Sequence, residues 1–176
     1  MAPNRVIGAS PQESVSQAQG GPAYDGVARR QVYLHAGQMF ASAEPTSVVT
    51  ILGSCVAVCL FDPVAKVGGI NHYLLPLAVR RERSPRFGSV AVALLLDEVL
   101  GRGARRGNLR AKVFGGAGVL DGLRGNGRHL GHDNVDFALR ALEAAAVPVV
   151  ESDVGGKRGR KVIFQVDDGS AWVRTL

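Results

Sequence analysis

Thr50-Ile51-Leu52-Gly53-Ser54-Cys55-Val56-Ala57-Val58-Cys59-Leu60-Phe61-Asp62-Pro63 is the stretch whose reading decides the fold. Cys55 to Phe61 is almost wholly apolar and rich in β-formers. As an extended strand it is expected to be buried on both faces. Asp62-Pro63 ends it with turn chemistry. Before it, Ser47 to Leu52 is a second β-rich run, interrupted by Gly53-Ser54. After it, Lys66 to Leu75 reads as a third, stopped by Pro76. Two of these runs, Cys55–Phe61 and Lys66–Leu75, are expected to pair as antiparallel neighbours across the turn at residues 62–65.

Further out, Gln31 to His35 predicts a first strand and Gly37 to Pro45 a connector. Arg80 to Arg86 reads as a basic loop. Val90 to Leu100 has the pattern of a helix, with Asp97 and Glu98 on its wet side and Gly101 and Gly103 at its end. A second helix is expected from about Asp133 to Ala146, with Val135, Leu139 and Leu142 on one face. Residues 111–114, 147–154, 161–166 and 171–174 complete the strands, the last two joined by a hairpin turn at Asp167-Asp168-Gly169. Mostly β order with two inserted helices predicts an α/β or α+β single domain. Residues 1–28 are rich in Ser, Gln, Pro, Gly and Ala and read as a flexible N-terminal extension to a domain over residues 29–176.

Composition narrows the function. The 176 residues are 46% hydrophobic and carry a formal charge of +6. That size needs no metal or disulfide to hold a core. Nine of the basic residues lie between Arg80 and Lys112, against three acidic ones. Such a balance permits an acidic partner, but only 6% of residues are aromatic and they do not alternate with the basic ones. Stacking on single-stranded nucleic acid is therefore disfavoured, and no nucleic-acid partner is expected. No apolar run reaches the length of a membrane span or a signal h-region. Two cysteines four residues apart do not make a disulfide framework, which points to a reducing, cytoplasmic setting.

Three side chains could carry chemistry. Cys55 follows Gly53-Ser54, where a substrate carbonyl can approach the backbone and nearby amides can face a developing oxyanion. It is either a thiol nucleophile or a small buried packing residue. His72 lies 17 residues further on in Gly68-Gly69-Ile70-Asn71-His72, where folding back across the turn brings it near the level of Cys55. A base on the neighbouring strand is a rigid placement; the alternative is a satisfied core histidine. Thr50 could accept a hydrogen bond from the second imidazole nitrogen, or be an ordinary β-branched strand residue. Cys59, mid-strand, reads as core. A metal site built from Cys55, Cys59 and His72 with His129 or His132 is disfavoured, because two sulfurs four residues apart on a strand sit about 13 Å from each other. Gly115-Gly116-Ala117-Gly118 and Gly155-Gly156 suggest tight turns; no Gly-Lys-Ser/Thr follows them, so they are weak as phosphate loops.

Taken together these motifs resemble the CheD family, the chemoreceptor glutamine deamidases of bacterial chemotaxis. The resemblance is carried by Thr50 to Cys59, Asp62-Pro63, Gly68 to Pro76, Lys112 to Ala117, Gly131 to Asn134 and Asp153 to Arg160, in that order. It spans roughly residues 30–174. It implies an α/β sandwich of mostly antiparallel or mixed β-sheet with two main helices, similar to toxin-type cysteine deamidase domains. It implies Cys55 as nucleophile, His72 as base and Thr50 as third member of a triad, with no cofactor or metal. The amides of Ser54 and Cys55 are assigned to the oxyanion by mechanism. The implied reaction is hydrolysis of glutamine side chains on methyl-accepting chemoreceptor helices to glutamate, through a thioester, with receptor methylesterase activity as a further family property. A CheC-type phosphatase is an implied partner, and the competing reading is a noncatalytic chemotaxis module that regulates such a phosphatase. Arg80, Arg81, Arg83 and Arg86, with Arg158 and Arg160, are expected to steer an acidic receptor surface.

Overall fold

The computed structural model describes residue 7 and residues 28–79, 82–118 and 130–176. In chain order the elements are β1 (Arg30–Tyr33), β2 (Gln38–Ser42), β3 (Thr46–Leu52), β4 (Val56–Asp62), β5 (Val67–His72), α1 (Gly88–Gly101), a 3-10 turn (Arg106–Asn108), β6 (Arg110–Gly115), α2 (Leu130–Ala144), β7 (Val149–Val154), β8 (Arg160–Gln165) and β9 (Ala171–Thr175). The strands form two sheets. One has the order β2-β5-β4-β6-β7 and the other β1-β3-β8-β9. Pairing is antiparallel except for β6 with β7 and β1 with β3. This is a mixed α/β fold with two main helices and two sheets.

The double burial expected for β4 has a plain cause. Val56, Val58 and Leu60 face a cluster that includes Leu95 and Val99 of α1 and Val135, Ala138 and Leu142 of α2. Ala57 and Cys59 point the other way, into a cluster with Val48, Leu52, Val162 and Phe164 of the second sheet. Period-two alternation thus serves two apolar layers, and no position on β4 is free to be polar until the end. There Asp62 closes the strand. Its Oδ1 accepts from the amides of Val64 and Ala65, and its Oδ2 from that of Arg105.

Three expectations need correction. The connector at Gly37 to Pro45 contains β2, whose five residues are all buried. Gln38, Met39 and Ala41 have little strand preference, and ladder pairing of Gln38–Ser42 against Gly68–His72 overrides it. The strand expected over Lys66 to Leu75 ends at His72, and the chain beyond it is held by single bridges from Tyr73 to Val56 and from Leu75 to Phe87. On α2 the buried stripe is Gly131, Asn134, Val135, Ala138 and Leu142, while Leu139 is 39% exposed. Ile7 is paired with Met39 through two backbone hydrogen bonds of 2.8 and 2.9 Å. The rest of the N-terminal stretch, up to residue 27, lies outside the described residues, as do Arg80, Arg81 and His129.

The helix correction is directly testable. Leu142→Ala should cost about 2–5 kcal/mol in urea unfolding, as a buried leucine truncation does. Leu139→Ala should cost well under about 1 kcal/mol. Equal costs would restore the original helical face.

Candidate active site

Gly53-Ser54-Cys55 joins β3 of one sheet to β4 of the other, and all three of its carbonyls are held. Ala117 N–H donates to Gly53 O at 2.8 Å and Gly116 N–H to Cys55 O at 2.8 Å. Asn134 Nδ2 donates to Ser54 O at 3.0 Å. The glycine-rich run after β6 is therefore a brace for this loop, its amides already used by protein carbonyls. Gly115 has φ +111°, and a Cβ there would stand 2.2 Å from Cys55 O. Only glycine permits that approach. Among the described residues, the amides of Ser54 and Cys55 make no hydrogen bond to a backbone carbonyl.

Cys55 is half-buried and packs against the inter-sheet cluster. His72, at the end of β5, is 4% exposed. The β4–β5 register runs from Asp62 opposite Val67 to Cys59 opposite Ile70, and resumes as Val56 opposite Tyr73. His72 therefore lies level with Ala57, and Cys55 level with Leu74. Cys55 and His72 are diagonal neighbours on one face, a spacing of about 7–8 Å between Cα atoms that longer side chains span. Between the paired segments the ladder opens: Val58 N–H donates to the Asn71 side-chain oxygen at 2.9 Å.

Thr50 comes from the other sheet. Its hydroxyl donates to Leu34 O at 2.8 Å and lies 2.9 Å from His72 Nδ1. A carbonyl can only accept, so the single hydroxyl proton goes to Leu34 and Thr50 must accept from Nδ1–H. That assignment fixes the tautomer. The lone pair is on Nε2, a buried atom with no partner among the described residues. Burial pulls the His72 pKa down to about 4, with a smaller lowering from His35 and an opposing contribution from the Leu34 carbonyl. Burial pushes the Cys55 thiol up, and its own backbone N–H opposes this. The two groups at rest are thus a neutral thiol and a neutral imidazole. Cys59 is fully buried and its thiol is pushed well up by burial, which makes it an inert packing residue.

The family model described as CheD chemotactic sensory transduction matches residues 74–175, more than half of the chain. A probable chemoreceptor glutamine deamidase CheD 1 from Anaeromyxobacter dehalogenans is 59% identical over 98% of this chain and 99% of its own length. The chain belongs to the CheD family. Further CheD relatives include one from Shewanella oneidensis, 44% identical over 84% of this chain and 73% of its own length. Another, from Stenotrophomonas maltophilia, is 44% identical over 76% of this chain and 67% of its own.

In this CheD chain one basic residue, Arg160, behaves differently from expectation. Arg160 is buried, with its guanidinium donating to the carbonyls of Gly115, Asp153 and Gly155 at 2.6 Å each. It braces the loops beside Cys55 and is not available to a partner surface. Arg158 is exposed and donates to Leu176 O at 2.7 Å. Arg83 and Arg86 are exposed. Sequence reasoning missed Asn134 as a site residue. The available signal was an asparagine within the apolar stripe of α2, where a buried amide requires partners. Among the described residues no cluster of three metal-ligating side chains exists, and no helix is long and apolar enough to cross a membrane.

The buried imidazole has a consequence for stability. The unfolded chain takes up the His72 proton near pH 6.5 and the folded chain only near pH 4. Stability is therefore full above about 6.5 and falls as pH drops from there towards 4, by on the order of 3 kcal/mol. Urea unfolding across that window should show a steeper loss in the wild type than in His72→Gln, by nearly one bound proton. Identical slopes would mean the ring is already charged in the folded state.

Proposed function

We propose that the chain hydrolyses glutamine side chains of methyl-accepting chemoreceptors to glutamate, with Cys55 as nucleophile, His72 as general base and acid, and Thr50 as the group that orients the imidazole. The observation that carries this reading is the double role of the Thr50 hydroxyl, which leaves His72 Nε2 unprotonated on the face shared with Cys55. The names of its CheD relatives supply the reaction and the substrate class.

The steps follow from those atoms. As the sulfur attacks the glutamine Cδ, the thiol proton passes to His72 Nε2. The carboxamide oxygen takes up negative charge facing the amides of Ser54 and Cys55. The tetrahedral centre collapses, the C–N bond breaks, and the nitrogen leaves as ammonia with the proton from Nε2. A thioester remains. Water then gives a proton to Nε2 and its oxygen attacks the thioester carbon. The C–S bond breaks, the sulfur regains the proton, and glutamate is released. Because the resting pair is neutral, the proton moves during attack and no pre-formed thiolate is required.

The substrate lies on a helical surface, so a charged approach to the site aids encounter. Arg86 is close to it: the amides of Leu74 and Leu75 both donate to Arg86 O, and Leu74 is the residue level with Cys55. Arg80, Arg81, Arg83 and Arg86 are assigned to steering an acidic receptor face. A cytoplasmic location, a CheC-type phosphatase partner, receptor methylesterase activity and a likeness to toxin-type deamidase domains complete the reading.

Mass analysis of a purified receptor cytoplasmic fragment tests the chemistry. Cys55→Ala and His72→Ala should each lower glutamine conversion at least about 10³-fold with folding retained. Thr50→Val should lower it about 10- to 100-fold, less than the loss of a charged orienter. Full activity in Cys55→Ala would end the covalent mechanism. The acid limb of kcat/KM should lie near pH 4, not 6.5.

Steering has its own readout. Replacing Arg80, Arg81, Arg83 and Arg86 together with glutamine should slow receptor association roughly tenfold or more at low ionic strength and much less at high salt. An unchanged rate at low salt would remove the loop from the encounter.

A further inference from the structure

Asn134 is fully buried on the stripe of α2 that packs against the sheet. Its side-chain nitrogen donates to two carbonyls, Ser54 O at 3.0 Å and Leu74 O at 2.9 Å. Both partners can only accept, so the NH2 end must face them. One amide therefore ties the loop before β4 to the segment after β5, at the level where those strands have parted. Its helix is anchored in turn, because Tyr73 Oη donates to the Asn134 main-chain carbonyl at 2.5 Å. The Asn134 Oδ1 is buried with no partner among the described residues. An apolar residue of similar size would avoid that unpaired acceptor. The two bonds made by Nδ2 are thus what the residue contributes.

Ser54 C=O and Cys55 N–H belong to the same peptide unit. In a trans peptide they point in opposite directions. A donor on α2 that holds the carbonyl consequently turns the Cys55 N–H away from α2. A hydrogen bond to the carbonyl also polarises the peptide and strengthens its N–H as a donor.

We propose that Asn134 is a positioning residue for deamidation: it holds the Ser54–Cys55 peptide so that the Cys55 N–H faces the carboxamide oxygen as that oxygen becomes an oxyanion. The inference rests on the reading of Cys55 as nucleophile. It adds a distinct requirement, since the thiol and imidazole are held by other contacts.

Two reactions of the same sulfur separate this role from a merely structural one. Deamidation passes through an oxyanion. Alkylation by iodoacetamide does not: the sulfur displaces iodide from a saturated carbon in one step. In the full chain, Asn134→Ala and the isosteric Asn134→Asp should lower kcat about 10- to 100-fold, less than the loss of an oxyanion donor outright. KM should stay near the wild-type value, as for an interaction made only in the transition state. The rate of Cys55 alkylation should change by less than about threefold. Equal losses in both reactions, or an unchanged kcat, would overturn the proposal. Wild-type protein that is alkylated at Cys55 but converts no glutamine would instead overturn the underlying deamidase reading.

A measurement on the wild type does not depend on either variant folding. A peptide carrying a side-chain aldehyde in place of the glutamine carboxamide adds to the thiol, forming a C–S bond and an oxygen in the oxyanion position. The Cys55 amide proton should move downfield in the NMR spectrum when it does. An unmoved resonance would overturn the proposal.

Discussion

The contact on which the site depends is the hydrogen bond between Thr50 and His72, because it joins two sheets that share no ladder. β3 brings the hydroxyl and β5 brings the ring. The Leu34 carbonyl, just after β1, takes the hydroxyl proton and so dictates which imidazole nitrogen keeps its own. Three segments distant in sequence thereby set one protonation state. A hydroxyl serves here where a carboxylate would change the chemistry. A carboxylate would favour imidazolium, whereas the neutral hydroxyl leaves burial to hold the ring uncharged.

The second constraint is the close approach of Gly115 and Gly116 to Cys55. β4 is filled on both faces by bulky neighbours, so its start cannot move towards either layer. The loop before it is braced from the side by glycine-rich backbone, and that backbone is held by Arg160. A basic residue expected at a partner surface is instead part of the scaffold. Its three carbonyl contacts carry no net charge, and its ion-pair partner is Asp153, whose Oδ1 stands 3.5 Å from the guanidinium.

The features legible in the sequence were those set by local pattern. The apolar run of β4, the turn at Asp62-Pro63 and the Cys55–His72 spacing all follow from alternation and turn chemistry, and they sufficed to suggest the pair. The features that were not legible depend on partners far away. β2 is a strand because β5 lies beside it, not because Gln38, Met39 and Ala41 favour extension. Leu139 satisfied the helical spacing, yet the stripe turns on Gly131 and Asn134, whose small or polar side chains fit the crowded contact with Gly116 and Ser54. The polar interiors at Asn134 and Arg160 could be read only once their carbonyl acceptors had been located.

The chain order of the second sheet has a temporal consequence. β3 carries Thr50, and one of its two neighbours is β8, residues 160–165, far later in the chain. While the polypeptide is being made, Thr50, Cys55 and His72 all emerge before β8, so β3 waits for the strand that completes its sheet. The contact between Thr50 and His72 is thereby deferred until β8 has been made, and a fragment released before then would keep Cys55 and His72 without the sheet that holds Thr50.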